Sequence, residues 1–165
     1  PIARLAVFEP PVLIDDLLPV AWLPAFEAAL KQGRHLSAMA LFQQGMRMNW
    51  VSRIPRPLLD AFLWVMLRGE DGREAFDLLP TLPIDFQLLP AMADRRDYAQ
   101  LRAETLILGG MRSPDYLLEA VNRLAEAIPG STLHMAPDLD HSAPTSLGEA
   151  FERESIAREL LSWFA

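Results

Sequence analysis

The stretch "ETLILGGMRSPDYLLEAVNRLAEAIPGSTLHMAPDLDHSAP", residues 104 to 144, decides the fold class. Residues 105–110, "TLILGG", form a continuous apolar run of strand length, closed by a glycine pair that lets the backbone turn sharply. A helix comes next. Ser113 is placed to cap it, Pro114 fits its first position, and Asp115 complements the positive end of its dipole. Leu117, Leu118, Val121, Leu124, Ala125 and Ile128 recur at helical spacing as one apolar stripe, which Pro129-Gly130 ends. Residues 131–137, "STLHMAP", then read as a second strand, with Leu133 and Met135 on one face and Thr132 and His134 on the other. Strand, helix and strand in this order make a parallel unit of the α/β class. His141 lies in the loop after it.

Upstream, residues 3–8, "ARLAVF", are a third candidate strand. Apolar side chains at successive positions 5 to 8 predict burial on both faces, and Glu9-Pro10-Pro11 stops the run. From residue 12 to residue 103 no convincing strand occurs. Residues 22–31 read as a helix ending near Gly33, and residues 36–46 as another with Leu36, Met39, Ala40 and Phe42 inward. Residues 57–67, "PLLDAFLWVML", are apolar almost all round, which suits a helix packed on two sides, a lid over an apolar pocket or a dimer contact. "GEDG" at 69–72 predicts a surface turn, and Pro80, Pro83 and Pro90 break the next stretch into short pieces. Trp22, Phe26, Met39, Phe42, Met48 and Trp64 of this region are either core or the lining of an apolar pocket. The closing "GEAFERESIARELLSWFA" predicts a helix with Ile156, Leu160, Trp163 and Phe164 opposite Glu152, Arg153, Arg158 and Glu159. The expected organisation is one structural domain in three parts: residues 1–11, a helical region at 12–103, and residues 104–165.

Composition narrows the function classes. A chain of 165 residues, 51% of them hydrophobic, can bury one core. A net charge of −7 excludes an unspecific nucleic-acid binder, which would concentrate Lys and Arg to displace counterions. With no cysteine and three dispersed histidines, no disulfide, thiolate nucleophile or transition-metal cluster is expected. No apolar run reaches the roughly 20 residues that cross a bilayer, and no secretion signal opens the chain. No membrane association is expected, and the cytoplasm is the default location.

In the order and spacing of these pieces the chain resembles the C-terminal part of an α/β-hydrolase, from the family's sixth strand to its last helix. The resemblance covers essentially the whole sequence. "LAVFEPP", residues 5–11, is similar to the sixth strand and its exit, and residues 12–103 stand where the family carries a helical cap. Residues 104–144 are similar to the seventh strand, its helix, the eighth strand and the catalytic histidine loop. This implies a partial α/β-hydrolase fold of about three parallel strands flanked by helices, with a helical cap insertion. It also implies a nucleophile on a strained elbow, normally Gly-x-Ser-x-Gly, which a histidine activates while an acid orients the imidazole. No glycine here brackets a Ser, Asp or Cys in that way. In the family's chain order the elbow precedes the sixth strand. A chain that opens on Pro1 and enters an apolar run at once therefore reads as a fragment whose nucleophile and oxyanion donors lie upstream.

On this resemblance His141 is the general base. The position after the seventh strand, where many members carry the acid, holds Met111, Arg112 and Ser113, with no carboxylate before Asp115. A helix N-terminus accounts for Asp115 without catalysis. Some members place the acid after the sixth strand, which makes Glu9 the preferred candidate, although a carboxylate there could simply bond the backbone at a proline turn. Members often have Gly-x-Gly-His where this loop reads Asp138-Leu139-Asp140-His141; Asp tolerates the left-handed conformation, and either aspartate is a further acid beside the imidazole. His35 and His134 read as structural. The expected activity is hydrolysis of a small apolar ester or related acyl compound, without a cofactor, by a parent protein of which this chain alone is inactive. The alternatives are a non-catalytic α/β-hydrolase-like protein that binds a ligand or partner through its cap, and a subunit whose first strand self-associates or pairs with a separate N-terminal segment.

Overall fold

The computed structural model describes residues 2–12, 18–47, 50–92, 95–145 and 149–165. In chain order the elements are β1 (Arg4–Phe8), α1 (Leu23–Lys31), α2 (His35–Met46), α3 (Arg56–Met66), α4 (Glu70–Leu78), α5 (Leu82–Leu88), α6 (Arg95–Tyr98), β2 (Glu104–Gly110), α7 (Asp115–Ala127), β3 (Thr132–Ala136) and α8 (Ala150–Phe164). Short 3-10 turns at Trp50–Arg53, Leu79–Thr81 and Leu89–Met92 separate some of the helices. The chain divides into two compact units, residues 1–18 with 90–165, and residues 19–89.

The first unit holds a three-stranded parallel sheet in the order β1-β2-β3. Phe8 pairs with Leu108, and Gly110 with Ala136, so all three strands end at neighbouring levels. The unbroken apolar run of β2 is explained by its central place: Thr105 to Gly110 are all buried. Burial on both faces was expected of β1 as well, but its residues are exposed or only half-buried. Among the described residues β1 pairs with β2 alone, so one side of it lacks a neighbour. Val12, Ile107, Ala120, Val121, Leu124 and Ile128 form the core between sheet and α7, as the helical stripe of residues 117–128 required. Ser113 does not cap α7. Pro114 holds the cap position without a side-chain hydrogen bond, because the Ser113 hydroxyl is engaged elsewhere. In α8, Ile156 is buried as expected, whereas Phe164 is exposed. Glu152, expected on the polar face, is buried because its carboxylate accepts a bond from Glu149 N–H at 2.7 Å in a reciprocal cap.

The described elements of residues 19–89 are all helical. Trp22 is the hub, meeting Phe26, Phe42 and Phe86 edge-on at ring separations of 5.3, 5.6 and 5.1 Å. Its indole N–H donates to Pro19 O at 2.6 Å. Met39 joins this core, so Trp22, Phe26, Met39 and Phe42 are packing residues; Met48 lies outside the described residues. α3 buries Leu59 and Leu63 and leaves Leu58, Trp64, Val65 and Met66 exposed, so packing on two sides is not what its apolar surface serves. Residues 69–72 do not form a free turn: Gly69 precedes the first turn of α4, which Glu70 opens. The prolines act as expected, with Pro80 and Pro83 starting short helical pieces and Pro90 lying in another. No helix among the described residues is long and apolar enough to cross a membrane.

Candidate active site

Three segments of the sheet-bearing unit meet at the carboxyl ends of the strands. The first is the exit of β1. Glu9 N–H donates to Leu108 O at 3.0 Å, carrying the β1–β2 pairing one residue past the strand. Glu9 then turns at φ 40°, a left-handed conformation uncommon for a residue with a long side chain. The side chain is fully buried, at 0% exposure. It crosses the end of β2, where its Oε1 accepts Gly110 N–H at 2.7 Å and Ser113 Oγ–H at 2.6 Å.

The second segment is that turn after β2. Gly110 is required there: a Cβ would collide with the Leu139 carbonyl and lie 2.8 Å from Asp140 N, both backbone groups of the histidine loop. Met111 N–H donates to Ala136 O at 2.9 Å and Arg112 N–H to Leu139 O at 3.0 Å, so the turn and the loop are laced together. The third segment is the loop itself. Leu139 and Ala143 are buried against Ile156 of α8. Asp140 accepts Ser142 N–H at 2.7 Å and Ser142 Oγ–H at 2.6 Å, closing a local turn around His141.

His141 Nδ1 lies 2.9 Å from Glu9 Oε2. A buried carboxylate accepts, so Nδ1 carries a proton, and in the neutral ring it is Nε2 that keeps the lone pair; the tautomer follows from the bond. The imidazole side chain is 35% exposed against 0% for the carboxylate, so the pair has a sealed end and an accessible one. Among the described residues, no hydroxyl bonds Nε2. This arrangement can accept a proton at Nε2 while Glu9 fixes the ring plane and faces the imidazolium that forms.

The structure thus brings together two of the three residues singled out from sequence. Asp115 is exposed in the first turn of α7 and makes no bond to His141, which leaves it the dipole role. Asp138 pairs with Arg112 at 3.3 Å in solvent, and Asp140 serves its own turn, so neither flanking aspartate orients the imidazole. His35 is exposed with its ring edge to Phe76, and His134 lies 3.8 Å from Glu159. Sequence reasoning missed two residues. Ser113, read as a cap, is a donor to Glu9, and its partner is 104 residues away, so no local signal could show it. Among the described residues the buried hydroxyl of Tyr116 has no partner, and burial, followed by the Glu9 charge, pushes its pKa up to about 12.

Among the described residues no group of three or more His, Asp or Glu is placed to hold a metal ion. The helical unit carries a separate groove of about 780 Å³ bordered by Arg34, Trp64, Leu67, Arg68, Phe76 and Asp77. The Arg68 guanidinium stacks over the Trp64 ring at 3.3 Å.

No family model and no curated protein matches the sequence. Among solved structures, an alpha/beta hydrolase from Sphaerobacter thermophilus DSM 20745 is similar over 100% of this chain, with a TM-score of 0.71 and 24% sequence identity. The chain spans 59% of the length of that protein. The likeness establishes the fold: three parallel strands in one sheet, flanked by helices, as in part of an α/β-hydrolase.

Proposed function

We propose that this chain is the cap and C-terminal part of a hydrolase of the α/β-hydrolase type, acting on a small apolar ester or related acyl compound. His141 takes the proton from a nucleophile carried by a segment upstream of Pro1 and returns it to the leaving group, while Glu9 orients the imidazole and balances its charge. One observation carries this reading. A fully buried carboxylate, on a residue held at φ 40°, bonds the Nδ1 of a partly exposed histidine at the carboxyl ends of parallel strands. A charge is expensive to bury and a left-handed glutamate is strained, so this combination is typical of a working site rather than of packing. Glu9 also replaces the acid missing after β2. The part-length match to a longer hydrolase is compatible with a nucleophile supplied from outside these residues. The helical region would serve as the cap.

The test is to read the coding sequence upstream of Pro1 for a strand–elbow–helix with a central Ser, Cys or Asp, and to assay the full-length product on short-chain p-nitrophenyl esters. His141→Ala should lower kcat by at least about 10³-fold, and Glu9→Gln by a similar factor. Turnover unchanged in His141→Ala, or no elbow upstream, would refute the proposal. The second reading, a subunit completed by another copy or by a separate N-terminal segment, is favoured by the unpaired side of β1. Co-expression with that upstream segment as a separate chain, followed by size-exclusion chromatography, tests it.

A further inference from the structure

The Glu9 carboxylate is held unevenly. Oε1 takes two donors, Gly110 N–H at 2.7 Å and Ser113 Oγ–H at 2.6 Å, whereas Oε2 takes one, His141 Nδ1–H at 2.9 Å. A backbone donor such as Gly110 N–H is present whatever the side chain, but the hydroxyl is specific to Ser113. Ser113 is 6% exposed, its N–H donates to Gly110 O at 3.0 Å, and Pro114 after it restricts its backbone to the extended region. The hydroxyl is therefore presented from a constrained position, largely sheltered from water that would compete for it. A serine just before α7 suits a helix cap, yet α7 begins without a side-chain hydrogen bond. The local use of the hydroxyl is given up for the carboxylate. At 2.6 Å the bond lies in the range of a hydroxyl donating to a carboxylate anion, roughly twice as strong as a neutral pair.

We propose that Ser113 is a positioning residue that acts through Glu9: its hydroxyl, by holding Oε1, sets how strongly Oε2 binds the His141 Nδ1–H. This role rests on the function proposed for that pair. Each donor on a carboxylate stabilises its charge and lowers the proton affinity of the whole group. With two donors on Oε1, Oε2 orients the imidazole and faces the imidazolium that forms, without taking its proton. Without the hydroxyl, Oε1 keeps the Gly110 bond alone, charge returns to Oε2, and the Nδ1–H bond tightens. Ser113 thus tunes the base from one residue away, with no contact to the imidazole required.

The readout is the low-field proton resonance of His141 Nδ1–H in the chain itself, which needs no nucleophile and no turnover. Ser113→Ala removes the donor, so the resonance should move downfield. Ser113→Thr keeps the donor, so the resonance should stay at its native position. Ser113→Cys, whose thiol is a weak donor, should give a smaller downfield displacement, and it carries the test if the alanine variant fails to fold. A resonance that stays, moves upfield or disappears in folded Ser113→Ala overturns the role of Ser113. So does one that moves in Ser113→Thr as far as in Ser113→Ala, which would mark a packing effect rather than a lost donor. A native chain without that resonance, or one in which it persists unchanged in Glu9→Gln, overturns instead the Glu9–His141 pairing on which the proposed function stands, and the two failures are thereby told apart.

Discussion

Glu9→Gln and Glu9→Ala separate the two things this carboxylate does. It accepts bonds from two buried donors, Gly110 N–H at 2.7 Å and Ser113 Oγ–H at 2.6 Å, and it sets the imidazole tautomer through His141 Nδ1 at 2.9 Å. Glutamine keeps an oxygen for the first two donors; alanine keeps nothing. Both variants remove the buried charge, so the relief of its desolvation cancels when they are compared. What remains is two buried donors, each costing about 1–3 kcal/mol when unpaired, so Glu9→Ala should be less stable than Glu9→Gln by about 2–6 kcal/mol. Urea unfolding followed by circular dichroism measures the difference. The tautomer behaves in the opposite way. The glutamine amide turned toward His141 is a donor, so the imidazole must accept at Nδ1 and carry its proton on Nε2, which abolishes the base. Nitrogen-15 spectra of His141 should show the proton transferred from Nδ1 to Nε2, and turnover that depends on His141 should fall about 10⁴-fold with the fold intact. Equal stability of the two variants, or a proton still on Nδ1 in Glu9→Gln, would show that the carboxylate does not hold this constellation together.

Gly110→Ala should cost about 1–3 kcal/mol, because the new methyl meets the backbone of Leu139 and Asp140, which cannot rotate away. Gly69→Ala, with nothing within 4 Å of the added carbon, is the control, and a similar shift of the urea midpoint in both would refute the close approach. Tyr116 makes stability fall with alkali. The folded chain holds this phenolic proton more tightly, to about 12 against the ordinary 10.0, so its contribution is intact below pH 10 and is lost as pH rises toward 12. Tyr98, raised by burial and then by Asp97, acts in the same direction, so the decline should persist in part in Tyr116→Phe; a curve unchanged by that substitution would refute the assignment. Asp115→Asn should cost about 0.3–1 kcal/mol as a helix-terminus charge and leave the His141 tautomer alone; a tautomer change would return Asp115 to the site.

The sequence carried the architecture further than the site. Continuous apolar runs and a helical stripe located β1, β2, β3 and α7 nearly to the residue, because those patterns are local. The even burial expected of β1 was not found, since a strand's place in the sheet is not written in the strand. Glu9 and His141 were legible as candidates through their positions after strands. Their pairing was legible only through the family resemblance and not from local pattern, because 132 residues separate them. Ser113 shows the limit clearly: after a glycine pair and before a proline it has every local mark of a cap, and a buried carboxylate outside its neighbourhood takes the hydroxyl instead. Likewise Glu152 carries a helix-surface pattern, yet its bond to Glu149 N–H buries it.

The strained glutamate is where fold and candidate chemistry meet. A non-glycine residue in the left-handed region costs about 1–2 kcal/mol, and here something must hold it there. Two constraints do so, against the preference of a residue before proline for the extended region. The Glu9 N–H bond to Leu108 O fixes the residue to the register of β2, and the three donors hold the far end of its side chain. Register is the more demanding of the two. A slip of one residue between β1 and β2 would turn Glu9 to the other face of the sheet, away from Gly110 and Ser113. A slip between β2 and β3 would shift the loop that Gly110 touches. The Glu9–His141 distance therefore reports on the alignment of all three strands at once. The same parallel pairing that buries β2 places an acid from one strand end beside a base from another.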